Sequence, residues 1–131
     1  MATHHPETPI TRSIIAVHKN LGGDAFHLHG SILQRGGEPD IAGEFPMAGR
    51  CGEVWVHTKI EVKTETGEPT ARQLYRLNQY WKRGYLVGIV TSAVEFGLLV
   101  LYYKRWVASG KTAPFNMTDG FSLPYKEIYD A

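Results

Sequence analysis

The acid most exposed to an unfavourable setting in this sequence is Glu95, the one charged residue in Tyr85–Tyr103, YLVGIVTSAVEFGLLVLYY. A carboxylate inside so apolar a run must be protonated, paired or turned to a wet cavity, because its ionised form is costly out of water. Projection at 100° per residue puts Gly88, Thr91, Ser92, Glu95, Leu99 and Tyr102 on one helical face. Small and hydroxylated neighbours allow close backbone approach and interhelical hydrogen bonds. Gly88, Thr91, Ser92 and Glu95 are therefore expected to form a helix–helix contact; a proton or ion path is the alternative.

A second set is His27-x-His29 with Cys51 and His57 in a C-x5-H spacing. Zinc takes such ligands in tetrahedral sets, with a close pair at each end of the site. Here one end alone has a close pair, so no metal is assigned to His27, His29, Cys51 and His57. The histidines read instead as polar contacts and Cys51 as a small apolar residue. No phosphate-binding glycine loop, nucleophile elbow or paired carboxylates at active-site spacing are evident. Trp55, Trp81 and Trp106 are too scattered for a nucleic-acid stacking platform. The expectation is a non-enzymatic chain with no cofactor, no small-molecule substrate and no nucleic-acid partner.

The element that would position Glu95 dominates the sequence. A helix over residues 85–103 spans roughly 28 Å, near the ~30 Å of a bilayer core. Trp81, Lys82 and Arg83 precede it, and Tyr102, Tyr103, Lys104, Arg105 and Trp106 follow. Aromatic and basic collars of this kind are membrane-interface anchors. The fold expected is a membrane protein with one transmembrane α-helix, loop-rich extramembrane arms and a small β-strand element. Near the span, four basic residues (Arg72, Arg76, Lys82, Arg83) face three (Lys104, Arg105, Lys111), which leaves orientation open.

The rest of the 131 residues is polar, since mean hydropathy is −0.25 despite the apolar run. A net charge of +1 gives no strong field toward nucleic acid or an anionic surface. One cysteine excludes an intramolecular disulfide framework. Residues 1–66 read as an extended arm with short strands at 26–34 and 54–64, and residues 36–52 as a loop rich in Gly and Pro. In the second strand Val54, Val56, Thr58, Ile60, Val62 and Thr64 share one face; Trp55, His57, Lys59, Glu61 and Lys63 share the other. Pro69 starts a helix that continues through the span to residue 106, with a bend at Gly84. Residues 107–131 read as an extended C-terminal arm lying on another protein.

A single span between aromatic and basic collars, as in KRGYLVGIVTSAVEFGLLVLYYKRW, with irregular arms on either side resembles an accessory subunit of a mitochondrial inner-membrane respiratory complex. Complex I is the first choice, then cytochrome oxidase, the bc1 complex or ATP synthase. The resemblance implies a non-catalytic part in stability or assembly, a mitochondrial inner-membrane location, and other subunits and membrane lipid as partners. Two alternatives stay open: an anchor or binding subunit of a thylakoid or bacterial complex, and a soluble domain with a buried apolar helix.

Overall fold

The apolar run that suggests a membrane span is divided between a strand and a helix. In the computed structural model, which describes residues 7–28, 37–64, 67–110 and 115, Leu86–Val90 form strand β4 and Ala93–Ala108 form helix α3. Thr91 and Ser92 make the turn between them. Ser92 has extended backbone (φ −159°, ψ 162°), and its Oγ accepts the Glu95 N–H at 3.1 Å. The Glu95 carboxylate reaches back to accept the Thr91 N–H at 2.7 Å. The Ser92 bond occupies one of the first-turn donors that every helix start leaves without an intrahelical partner, and the Glu95 bond ties the preceding turn to it.

The expected contact of Gly88, Thr91, Ser92 and Glu95 with a partner helix is thereby corrected: these residues are the end of a strand and the cap of a helix. The transmembrane fold class is corrected as well. At 16 residues α3 rises only ~24 Å, and among the described residues no helix is long and apolar enough to cross a membrane.

The continuous helix expected from Pro69 onward also breaks at Gly84. Helix α2, Ala71–Lys82, starts at a reciprocal cap between Thr70 and Gln73. It ends where Gly84, at φ 93°, donates to the Trp81 carbonyl while the Tyr85 N–H returns to Tyr80. This paired closure needs a left-handed residue, which glycine supplies without a Cβ clash. The chain then leaves the helix directly into β4.

The preceding elements are helix α1 (Glu7–Asn20) and strands β1 (Asp24–His27), β2 (Ile41–Gly49) and β3 (Gly52–Val62). The stretch 36–52, read as a loop, thus contains a nine-residue strand. Pairing with β3 stabilises it there, a contact that local composition does not reveal. Of the strand expected at 26–34, residues 29–34 lie outside the described residues, as does most of the C-terminal arm.

The sheet order is β1-β2-β3-β4, antiparallel except for the parallel β3–β4 pair joined through α2. Helices α1 and α3 cover one face, over Ile14, Ile41, Phe45, Val56, Ile60, Leu86, Val90, Phe96 and Leu99. Helix α2 covers part of the other, where Leu77, Tyr80 and Trp81 pack on Val87 and Ile89. All five residues of β4 are buried. A parallel strand covered on both faces reads as an unbroken hydrophobic run, which is why it merged with α3 in the sequence.

The expected membrane anchors serve packing and helix ends. Trp81 is buried in α2, and its Nε1–H donates to the Phe115 carbonyl. Tyr103 and Trp106 pack edge-on against the Phe115 ring, at centroid distances of 5.3 and 5.4 Å. Lys82 and Arg83 close α2, while Tyr102, Lys104 and Arg105 lie in the last turns of α3.

Candidate active site

The β2–β3 register pairs Ile41 with Ile60, both directed into the α1/α3 core. One step further, alternation brings Asp40 opposite Glu61 and turns both to the α2 side. Asp40 is held at both ends. Its carbonyl accepts the Leu28 N–H at 2.6 Å, and its Oδ2 accepts the Val62 N–H at 2.9 Å. Pro39 restricts the backbone that enters this position.

Glu61 is 1 % exposed, and among the described residues neither carboxylate oxygen has a well-formed hydrogen bond. Burial pushes its pKa up to about 9; the adjacent Asp40 carboxyl adds to the rise, while Lys63 and the Asp40 backbone N–H oppose it. Two ionised carboxylates have no donor between them, so this pair needs a shared proton or a cation.

Two lysines flank Glu61 on β3. The Lys63 N–H donates to the Val90 carbonyl at 3.0 Å, which carries the parallel ladder one residue beyond the strand and keeps Lys63 on the face of Glu61. Lys59, two residues before, places its ammonium 4.5 Å from the Tyr80 ring centre and 5.9 Å from that of Tyr85. Burial lowers the Lys59 pKa, and Glu38 counters that effect. Glu38 in turn accepts the Tyr80 hydroxyl proton at 2.8 Å. The sequence Lys59–Glu61–Lys63 is thus a cation, an acid and a cation along one strand face.

The donor chemistry fits a hard divalent cation such as Mg²⁺. Such an ion prefers oxygen ligands and is usually held by one or two carboxylates, with water and substrate phosphate completing its shell. Among the described residues no group of three or more His, Cys, Asp or Glu gathers to hold a metal. The protein side of the site is therefore the Asp40–Glu61 pair, and the orphaned oxygens of Glu61 are the observation that fits a cation there.

The other candidates are not brought together. His27 lies on β1, Cys51 is exposed at the β2–β3 turn, and His29 lies outside the described residues. His57 lies on the open face of β3, with Nδ1 3.6 Å from Glu44 Oε2. Asp40 and Glu61 are not legible as paired carboxylates in the sequence, because they stand 21 positions apart and β-pairing alone joins them. A signal was present: Pro39-Asp40 entering one strand, and Glu61-x-Lys63 where the next strand turns apolar on both sides.

Fold and site together define a layered α/β domain with a carboxylate pair flanked by lysines where the two central strands meet at one end. A solved structure described as a "VRR_NUC domain" is similar to it, with a TM-score of 0.59 and 27% sequence identity, covering 76% of this chain and 99% of that one. No protein-family model and no curated protein matches the chain. The likeness replaces the respiratory accessory-subunit reading and its membrane-complex partners, complex I included. The mitochondrial inner-membrane location rested on the span and falls with it. The exclusion of nucleic acid is withdrawn too, and whether the chain is an enzyme becomes a question for the Asp40–Glu61 site.

Proposed function

We propose that this chain is a metal-dependent nuclease, hydrolysing phosphodiester bonds at the Asp40–Glu61 site. The observation that carries the reading is the Glu61 carboxylate, buried without a partner opposite Asp40 and between two lysines. An acid kept in so costly a position is relieved by a proton or by a cation, and a bound divalent cation would let both carboxylates ionise. The likeness to a domain whose name carries the nuclease element NUC favours phosphodiesters among anionic substrates.

Asp40 and Glu61 would hold the cation, whose chemistry is to polarise a phosphoryl oxygen and lower the pKa of a bound water. The Val62 N–H bond fixes the Asp40 carboxylate in place before any ligand arrives. In hydrolysis a water oxygen bonds to phosphorus as the bond to the leaving sugar oxygen breaks; the water gives up one proton and the sugar oxygen leaves as a hydroxyl by taking one up. Lys63 would hold that water or a non-bridging oxygen through its Nζ protons. Lys59 offers a second positive charge to the adjoining stretch of backbone, and its contacts with Tyr80 and Tyr85 orient it. The net charge of +1 makes these local cations, and not a global field, the source of attraction.

The test is cleavage of end-labelled DNA and RNA by purified protein with Mg²⁺ or Mn²⁺, beside Asp40→Asn, Glu61→Gln and Lys63→Ala. Metal-dependent cleavage lost in all three variants is expected. Undiminished cleavage in Glu61→Gln would assign the activity elsewhere.

A further inference from the structure

The sheet face that carries Glu61 continues past it as two cross-strand rows. In the first, Phe26, Ala42 and Lys59 are aligned; in the second, Asp24, Glu44 and His57. Rows two residues apart are ~7 Å apart along the strands. The first row therefore begins about one nucleotide step from the Asp40–Glu61 pair. Helix α2 covers the β4 side of the sheet and leaves this part open. The small Ala42 side chain forms the floor of a hollow of about 310 Å³, with Tyr85 on its far wall.

The walls select what enters. Phe26 is 61% exposed, presenting an aromatic face that no packing in the described fold uses. Stacking on such a ring suits any base. At the end of the hollow two carboxylates stand side by side, Asp24 and Glu44. They repel a phosphate yet accept hydrogen bonds from an amino group. His57 meets Glu44 at 3.6 Å, and both side chains remain about half exposed, so Glu44 keeps acceptor capacity toward a ligand. Lys59 sits between this acidic end and Glu61, where the connecting backbone would pass.

We propose that this hollow receives an unpaired nucleobase bearing an exocyclic amino group, beside the bond to be cut. The assignment rests on the nuclease reading and names its substrate as nucleic acid with a single-stranded or splayed nucleotide at the cut. A stacked, paired base shows only its groove edges, whereas a base out of the stack offers both a face to Phe26 and its amino edge to Glu44.

The test separates binding from cleavage. Fluorescein-labelled oligo-dC, oligo-dT and the matching duplexes are titrated in EDTA against wild type, Phe26→Ala and Glu44→Gln, followed by anisotropy. Both side chains are substantially exposed, so the variants keep the fold. Wild type should bind dC about tenfold more tightly than dT, the scale of one base-edge contact. Glu44→Gln should erase or reverse that preference, since an amide can donate to the thymine O4. Phe26→Ala should weaken both single strands by roughly tenfold or more. Equal affinity for dC and dT, duplex bound as well as single strand, or no effect of Phe26→Ala would each overturn the proposal. Metal-dependent cleavage without base preference would retire the hollow and leave the nuclease reading standing. Base-dependent binding without cleavage would do the reverse.

Discussion

Among the described residues each face of the sheet buries one imidazole or carboxyl side chain, and the two are treated in opposite ways. On the α1/α3 face, His18 is fully buried and both ring nitrogens are bonded. The Ile14 carbonyl, at 2.9 Å, can only accept, so Nδ1 carries the proton and Nε2 accepts the Thr58 hydroxyl at 2.8 Å. Its ring stacks on Phe96 at 4.7 Å, and Gly43 makes room, since a Cβ there would stand 2.6 Å from the imidazole. On the α2 face, Glu61 is as deeply buried and has no well-formed hydrogen bond among the described residues. A satisfied buried group stabilises one arrangement of the chain. An unsatisfied one waits for a ligand, and its cost is carried by the rest of the fold.

The contrast can be broken most decisively by activity. If Glu61 holds the cation, Glu61→Gln or Asp40→Asn removes about 4 kcal/mol of transition-state stabilisation, roughly a thousandfold in rate. His18→Ala should reduce cleavage only in proportion to folded protein. A larger specific loss in His18→Ala, measured at equal folded fraction by circular dichroism, would erase the distinction.

Stability should show opposite signs. His18→Ala leaves the Thr58 hydroxyl without its partner and opens a cavity beside Phe96, costing about 3 kcal/mol. Glu61→Gln in EDTA should instead raise stability near pH 7 by about 1 kcal/mol, because Glu61, with its pKa pushed up to about 9, must take up a proton on folding and an amide need not. Divalent cation should raise the Tm of wild type and leave that of Glu61→Gln unmoved. Equal cation shifts in both proteins, by calorimetry, would separate the metal from Glu61.

The pH dependence sharpens the comparison at a smaller scale. Burial lowers the His18 pKa, with the Ile14 bond and the Asp24 charge working the other way. Near or below the ordinary histidine value of about 6.5 the unfolded chain takes up a proton that the folded one resists, so His18 makes stability fall as pH falls. Above that value both states are neutral and its contribution is flat. Urea midpoints for wild type and His18→Phe should diverge in slope below about pH 6.5 and run parallel above it. Parallel curves throughout would mean that His18 titrates alike folded and unfolded.

The smallest effect belongs to a site on neither side of the contrast. Ser92→Ala removes the α3 cap and should cost about 1 kcal/mol, with cleavage per folded molecule unchanged. A rate loss there would couple the β4–α3 turn to the site.

What the sequence could determine alone was local. The alternation from Val54 to Lys63 is carried by neighbouring residues, and β3 occupies Gly52–Val62. The Gly67–Thr70 break and the Pro69 signal stand just before α2, which begins at Ala71. Those features depend on backbone preference and side-chain period within a few residues. The run from Tyr85 to Tyr103 shows where local reading stops. Hydrophobicity says that these residues avoid water, but lipid and a protein core satisfy that demand equally. Burial of β4 beneath α2 on one face and α3 on the other decided for the core. The candidate site was less legible still. Asp40 and Glu61 are distant in the chain, and each alone is an ordinary polar residue near a strand end. Only the β2–β3 register sets the two carboxyls face to face, and only the layers packed around them shut out the water that would have made the pair unremarkable.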